Sequence, residues 1–483
     1  MLDKRLIAFF LVLGATILAT YYLPEVAKTG FYILLLIAYF RSKNEAMWLT
    51  LFLVISDGFW GYFNNYEVVL SVIPGLPPIE IGHFYVALSV IKAHRVKERQ
   101  PLFFDTYIKV IVVYILFLVA QGYLLGLSPE LNVQFRMVKF IFPLLMFYSI
   151  PRLFQKEEDY RECFYYFFPL AFFALFAQIF TITTGMTPSQ FLGVHKDFWF
   201  TVDVHHGKTY RGFYSTRMVM LSFFGALFYL ANKAKTFNPN YLFAVVAADF
   251  MSAFLSATRG WLLGLSFALI CFTLFIAKVS ARRVLSVVLT LIILIGGLLS
   301  IPVIGTQFTN AFKRMTTLEA LAGGDLTAGH TLERLDKRSP RVMNKWSETP
   351  LTGWGFSDTF FKYADFHVGN QTILLHSGIL GAILMGMFFV YYHFTLYHQS
   401  SLLPRGHPLK GALLVFVVFF PGWFMIHSSS GQSFSYYQDP GGGIHLGLYF
   451  CFGAVVYRHT LKRKKSNTHA PPPEATVEER TVH

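Results

Sequence analysis

Charge is scarce in this chain. Only 14% of its 483 residues are Asp, Glu, Lys or Arg, against about a quarter in an average soluble domain. That excludes a soluble globular fold with a charged surface as the body of the protein. Cysteine is scarcer still. Cys163, Cys271 and Cys451 sit far apart in apolar runs, so they offer neither a disulfide framework nor a metal-ligand spacing. Acidic residues are outnumbered, 27 against 41 Lys and Arg, for a formal charge of +14. No internal repeat of the kind that builds solenoids is visible.

Apolar residues fill the space. They make up 54% of the chain, and the mean hydropathy is +0.48. At about 20 apolar residues per crossing, the length allows roughly a dozen spans. Only helices and closed barrels satisfy every backbone group in lipid, and long apolar runs without strict alternation select helices. The expected fold is an all-α integral membrane protein.

The basic residues fall at span ends, not on one soluble face. Clusters stand at 92–99, at Arg152, Lys156 and Arg161, at Lys233 and Lys235, at Lys278, Arg282 and Arg283, at Arg405 and Lys410, and at 458–465. They follow every second apolar run, which by the positive-inside rule makes them cytoplasmic. Both termini are then inside, with about 12–14 transmembrane helices. Charge of this kind is a topology signal, and no nucleic-acid partner is expected. The basic start Met1-Leu2-Asp3-Lys4-Arg5 resembles a signal peptide, but no small-residue cleavage site follows, so an uncleaved first helix is expected. Four regions result: an N-terminal helix bundle over 1–305, a large outer loop over 306–370, C-terminal transmembrane helices over 371–460 and a disordered cytoplasmic tail over 461–483.

Three segments fall on the outer face. The first, 184–213, ends in Tyr210-Arg211-Gly212-Phe213 after His205, His206 and Lys208. Adjacent histidines without further ligands do not make a zinc site. The second is a tight hairpin, Ser256-Ala257-Thr258-Arg259-Gly260, which places a permanent cation where two apolar runs meet. Such a cation snorkels, pairs or binds an anion. The third is the large loop. There Arg334, Arg338, Arg341 and Lys345 would share one helical face by their spacing, although Pro340 reads as a helix start that breaks it. A cluster of this kind is a solvated surface or a phosphate site. Trp346 precedes Pro350-Leu351-Thr352-Gly353-Trp354-Gly355, a rigid aromatic turn that contains Trp354 and is suited to stacking on sugar rings or to the lipid interface. His367 precedes a helix carrying Gly378 and Gly381, small residues that allow close approach. Its neutral imidazole can accept a proton from a hydroxyl.

Taken together, the hairpin at 256–260, the Arg-Gly-Phe at 211–213, an arginine ahead of Pro-x-x-Gly-x-Gly at 350–355, and His367 with Gly378-x-x-Gly381 resemble the O-antigen ligase and polymerase superfamily. The resemblance covers 210–385, with matching order and topology. Nine residues separate the His367-Val368 pair from Gly378, as in the ligase motif. At the second position the family carries Asn, Ser or Gln, where this chain has Val368, with Asn370 as a substitute.

The resemblance implies a GT-C-like, metal-independent, inverting glycosyltransferase of the bacterial inner membrane that needs no cofactor. Its donor would be a glycan on undecaprenyl diphosphate at the periplasmic face. Its acceptor would be a hydroxyl of lipid A core for a ligase, or of the next lipid-linked repeat unit for a polymerase. By position, Arg211, Arg259 and Arg334 would hold the diphosphate, with Arg338 replacing Arg334 if the register slips. His367 would be the general base, and Trp346, Trp354 and Asn370 would contact sugar or acceptor. A different class, a lipid-linked oligosaccharide flippase or other transporter, would place charges inside spans, where Asp57 and Asp249 are the main cases.

Overall fold

The computed structural model describes residues 3–58, 68–71, 77–193, 216–232, 236–256, 259–277, 296–297, 299–310, 337–365, 368–427 and 435–468. Helix dominates. In chain order the helices are α1 (Lys4–Tyr22), α2 (Glu25–Arg41), α3 (Glu45–Ser56), α4 (Ile81–His94), α5 (Asp105–Leu124), α6 (Leu131–Ile141), α7 (Met146–Leu153) and α8 (Glu157–Thr184). There follow α9 (Pro188–Phe191), α10 (Thr216–Ala231), α11 (Pro239–Leu255), α12 (Arg259–Cys271), α13 (Ser339–Trp346), α14 (Asp358–Tyr363), α15 (Gly369–Leu402), α16 (Pro408–His427) and α17 (Pro440–Thr468). Among the described residues one antiparallel ribbon, Val69–Leu70 against Ile79–Glu80, supplies the strand structure. Apart from that ribbon the regular structure of the described residues is helical, compatible with an all-α membrane protein.

Among the described residues five helical stretches are long and apolar enough to cross a membrane, Lys4–Tyr22, Asp105–Leu124, Leu131–Leu153 (α6 running through a 3-10 turn into α7), Glu157–Thr184 and Gly369–Leu402, in keeping with a multi-pass membrane protein. Several of them present large apolar side chains outward. On α5 these include Val113 and Leu116, and on α15 Leu380, Ile383, Val390 and Phe394. Rows of exposed Leu, Ile and Phe on one helix face suit hydrocarbon, not water. Asp3 caps α1 by accepting from the Arg5 amide. That bond, with the Tyr165 hydroxyl and the Arg5 guanidinium, holds its carboxyl down to about 2.

The centre is built on two short helices that are apolar all round. In α3 every residue from Trp48 to Ser56 is buried, and in α10 every residue from Thr216 to Tyr229. A helix with no polar face belongs inside, and α8, α11, α16 and α17 wrap these two. Aromatic rings fill the seams. Phe228 lies 4.7 Å from Phe452 and Phe224 lies 4.8 Å from Phe416, centroid to centroid. At its far end α17 runs on to Thr468, past residue 461 where the sequence suggests a disordered tail.

Candidate functional site

The polar interval after residue 306 folds in part as helix. A helical run covers 302–310, and α13 and α14 follow. Pro340 stands in the first turn of α13 and Arg338 is the cap residue before it, so the shared face of the basic cluster ends at that proline. The cations engage neighbours within the loop. Arg338, 45% exposed in its side chain, pairs with Asp365 at 3.3 Å. Arg341 donates to the Lys362 carbonyl at 2.6 Å. Lys345 pairs with Glu348 at 2.7 Å and lies 4.6 Å over the Trp354 ring. The two indoles staple the loop to itself, Trp346 Nε1 donating to Pro350 O at 3.2 Å and Trp354 Nε1 to Lys345 O at 2.8 Å.

The loop then plugs into a broken helix. At Gly378, φ is +62° and ψ is −171°, so α15 is two helical pieces joined at this residue. In a continuous helix Leu375 and Ile379 would pair, as would His376 and Leu380. Here the 350–355 turn takes both partners. Trp354 N donates to Leu375 O and Gly355 N to His376 O, each at 2.8 Å. Pro350 O accepts from Ile379 N at 2.9 Å and Leu351 O from Leu380 N at 3.0 Å. Four hydrogen bonds to the turn thus stand where these two pairs would have made two.

Glycine is required on both sides. Gly353 and Gly355 have φ of +69° and +53°. A Cβ on Gly353 would stand 2.5 Å from His376 O, one on Gly378 2.3 Å from Leu351 O, and one on Gly355 2.4 Å from Leu118 O. Helix α5 clamps the junction. Gln121 Nε2 donates to Gly353 O at 2.6 Å and to Thr352 Oγ1 at 2.7 Å, and Tyr114 OH donates to Ser377 O at 2.6 Å. Below the junction the His376 imidazole is fully buried between the rings of Phe356, Phe360 and Tyr437, with no hydrogen-bond partner among the described residues. At the head of α15, Thr372 Oγ1 donates to Asp365 O at 2.8 Å and accepts from Asp365 N at 3.1 Å. These bonds tie Asp365 to the first turn of α15.

Of the residues singled out from sequence, Arg338, Trp346 and Trp354 belong to this one loop body, and Asn370 is exposed on the first turn of α15. Arg259 is the first residue of α12, three residues after α11 gives way to Ser256, as the hairpin reading expects; only its backbone is described. Arg211, Arg334 and His367 lie outside the described residues.

Sequence reading missed Arg217. Its side chain is 4% exposed, pairing with Asp439 at 2.7 Å and Asp57 at 3.4 Å, while its backbone amide donates to Asp57 at 2.8 Å. The group joins the end of α3 to the starts of α10 and α17. A Cβ on Gly441 would stand 2.7 Å from the guanidinium, so glycine makes room for it. One signal was available: each of the three stands alone at the edge of an apolar run, and such charges pair with one another. Compared with known proteins, the chain matches no protein-family model and no curated protein.

Proposed function

We propose that this protein is a GT-C-like glycosyltransferase of the O-antigen ligase type in a bacterial inner membrane, with both termini cytoplasmic. It moves a glycan from undecaprenyl diphosphate to a sugar hydroxyl of lipid A core at the periplasmic face. The observation that supports this best is the junction at Gly378. A basic, tryptophan-bearing loop is locked by backbone bonds onto the helix that follows position 367, which joins two of the four matched motifs, the 350–355 turn and Gly378-x-x-Gly381. Chemistry on a lipid-borne phosphate needs that pairing of fixed cations with a positioned base.

In the proposed reaction the acceptor oxygen attacks the anomeric carbon from the face opposite the diphosphate. The bond from that carbon to the diphosphate oxygen breaks, and undecaprenyl diphosphate leaves with the electron pair. The hydroxyl proton passes to His367. Arg211, Arg259 and an arginine of the loop, Arg334 or Arg338, hold the diphosphate as its charge grows, and no metal is required. The pair between Arg338 and Asp365 is exposed and worth only about 0–1 kcal/mol, so a phosphate can draw Arg338 away at small cost.

Glycan profiling tests this in a deletion strain carrying the intact gene, Arg259→Ala or His367→Ala. Long chains stranded on undecaprenyl diphosphate beside a bare core are the expected result. Single repeat units capping the core would assign polymerase chemistry instead. A profile unchanged by both substitutions, in proteins that still insert, would remove the glycosyltransferase reading.

A further inference from the structure

Among the described residues, other charges in the interior come with partners. Glu45 meets Lys92, and Asp57 and Asp439 share Arg217. Asp249 is different. It is 0% exposed within α11, and neither carboxyl oxygen has a hydrogen-bond partner among the described residues. Ser222 of α10, also 0% exposed, is the polar side chain facing it, and its hydroxyl makes no protein hydrogen bond of normal geometry. Ser252, one turn along α11 and 2% exposed, is likewise unpartnered.

The pattern is directional. Asp249, Ser252 and Ser256 follow at spacings of three and four, which puts them on one face of α11. All three are buried, and the stripe ends at the hairpin where α12 begins with Arg259. Asp249 lies about 9 Å from that end, at 1.5 Å per residue.

An ionised carboxylate without a counter-charge is not tolerated in an apolar interior, so what the packed elements offer decides the matter. α11 packs on α8, α10 and α12. On α8 the charged residues, Glu157, Glu158, Asp159, Arg161 and Glu162, all occupy the first two turns of a 28-residue helix. Arg217 of α10 is engaged by its two carboxylates. Arg259 opens α12 ten residues after Asp249, and Cys271 closes it. On α11 itself the other titratable group is Tyr241, two turns away. Among the described side chains, then, none supplies the counter-charge. One carboxylate balances one positive charge, and a carboxyl with two hydroxyls is an all-oxygen set suited to a hard ion.

We propose that Asp249, Ser222 and Ser252 form a monovalent-cation site within the membrane part of the protein, loaded along the Ser256 stripe with a proton or a sodium ion. The site does not depend on the glycosyltransferase reading. Its test uses the full-length protein purified in detergent and dicyclohexylcarbodiimide, which reacts with protonated carboxyls in apolar surroundings. The acid proton passes to a carbodiimide nitrogen, the carboxyl oxygen bonds to the central carbon, and the reagent adds whole, so peptide mass reads the adduct.

The peptide carrying Asp249 should be labelled in sodium-free buffer and unlabelled in Asp249→Asn. With choline as control, sodium at ten times its dissociation constant should slow labelling about tenfold if the site takes sodium. A rate that ignores sodium but falls as the pH is raised assigns the proton alone. Melting curves in the same buffers are the second readout, with the wild type responding to sodium or pH and Asp249→Asn responding to neither. Labelling of Asp249 indifferent to both ions, or no labelling together with superimposable melting curves for the two proteins, overturns the proposal.

Discussion

Gly378 combines φ of +62° with ψ of −171°, a region that side chains with a Cβ essentially never enter. Gly378→Ala is therefore expected to cost about 1–3 kcal/mol from the backbone alone, and more because the methyl group would press on Leu351 O. A lowered melting temperature in detergent checks this. Arg217 makes a different prediction. Arg217→Ala leaves Asp57 and Asp439 facing each other without a cation, and breaking a buried pair this way costs about 3–5 kcal/mol. Asp439 is 37% exposed, which places the effect at the low end. The triple variant Arg217→Met, Asp57→Asn, Asp439→Asn should recover much of that loss, since Asn keeps the cap that Asp439 offers to Gly442 N. Equal melting temperatures for the single and triple variants would show that the charges are not what holds these helix ends.

Three pieces act as one element: α5, the 350–355 turn and the break in α15. Gln121 is bonded to the same turn that Gly378 admits. Gln121→Ala and Gly378→Ala should therefore be less damaging together than the sum of their separate costs, by about 0.5–3 kcal/mol in a double-mutant cycle. Strict additivity would mean that α5 and α15 meet the loop independently. Gly378 and Gly381 were legible in sequence as places of close approach, and the 350–355 segment as a rigid aromatic turn. What approached them was not, because the contact is backbone to backbone and leaves no complementary pattern of side chains. The basic cluster shows a similar limit. Its charges and the Pro340 boundary could be read directly, but the carbonyl, carboxylate and ring faces that occupy those charges are set by the folding of α14 and α15 beside them.

Across the molecule, composition and apolar runs sufficed to identify an all-α membrane protein. The short helices were harder to interpret. α3 spans about 18 Å at 1.5 Å per residue, well short of the roughly 30 Å of hydrocarbon. It need not match the bilayer, because neighbouring helices and not lipid surround it. The three cysteines report on this interior. Cys163 and Cys451 are fully buried and Cys271 lies on an apolar helix. A water-soluble maleimide should leave the folded protein essentially unlabelled and reach all three thiols after denaturation. Rapid labelling of Cys163 or Cys451 in the folded state would contradict the central position of α8 and α17.

The inserted turn also bears on biogenesis. Residues 379–402 measure about 36 Å as a helix, enough to span the hydrocarbon without the piece before Gly378. The partners that repair the break leave the ribosome only some 25 residues earlier, so closing the loop between them carries a small entropy cost. α5 is synthesised long before either and presents Gln121 and Tyr114 as a template. The nascent chain can therefore seal the junction while the helix is still entering the bilayer, and the 350–355 turn serves as a chaperone built into the sequence for the span that follows it.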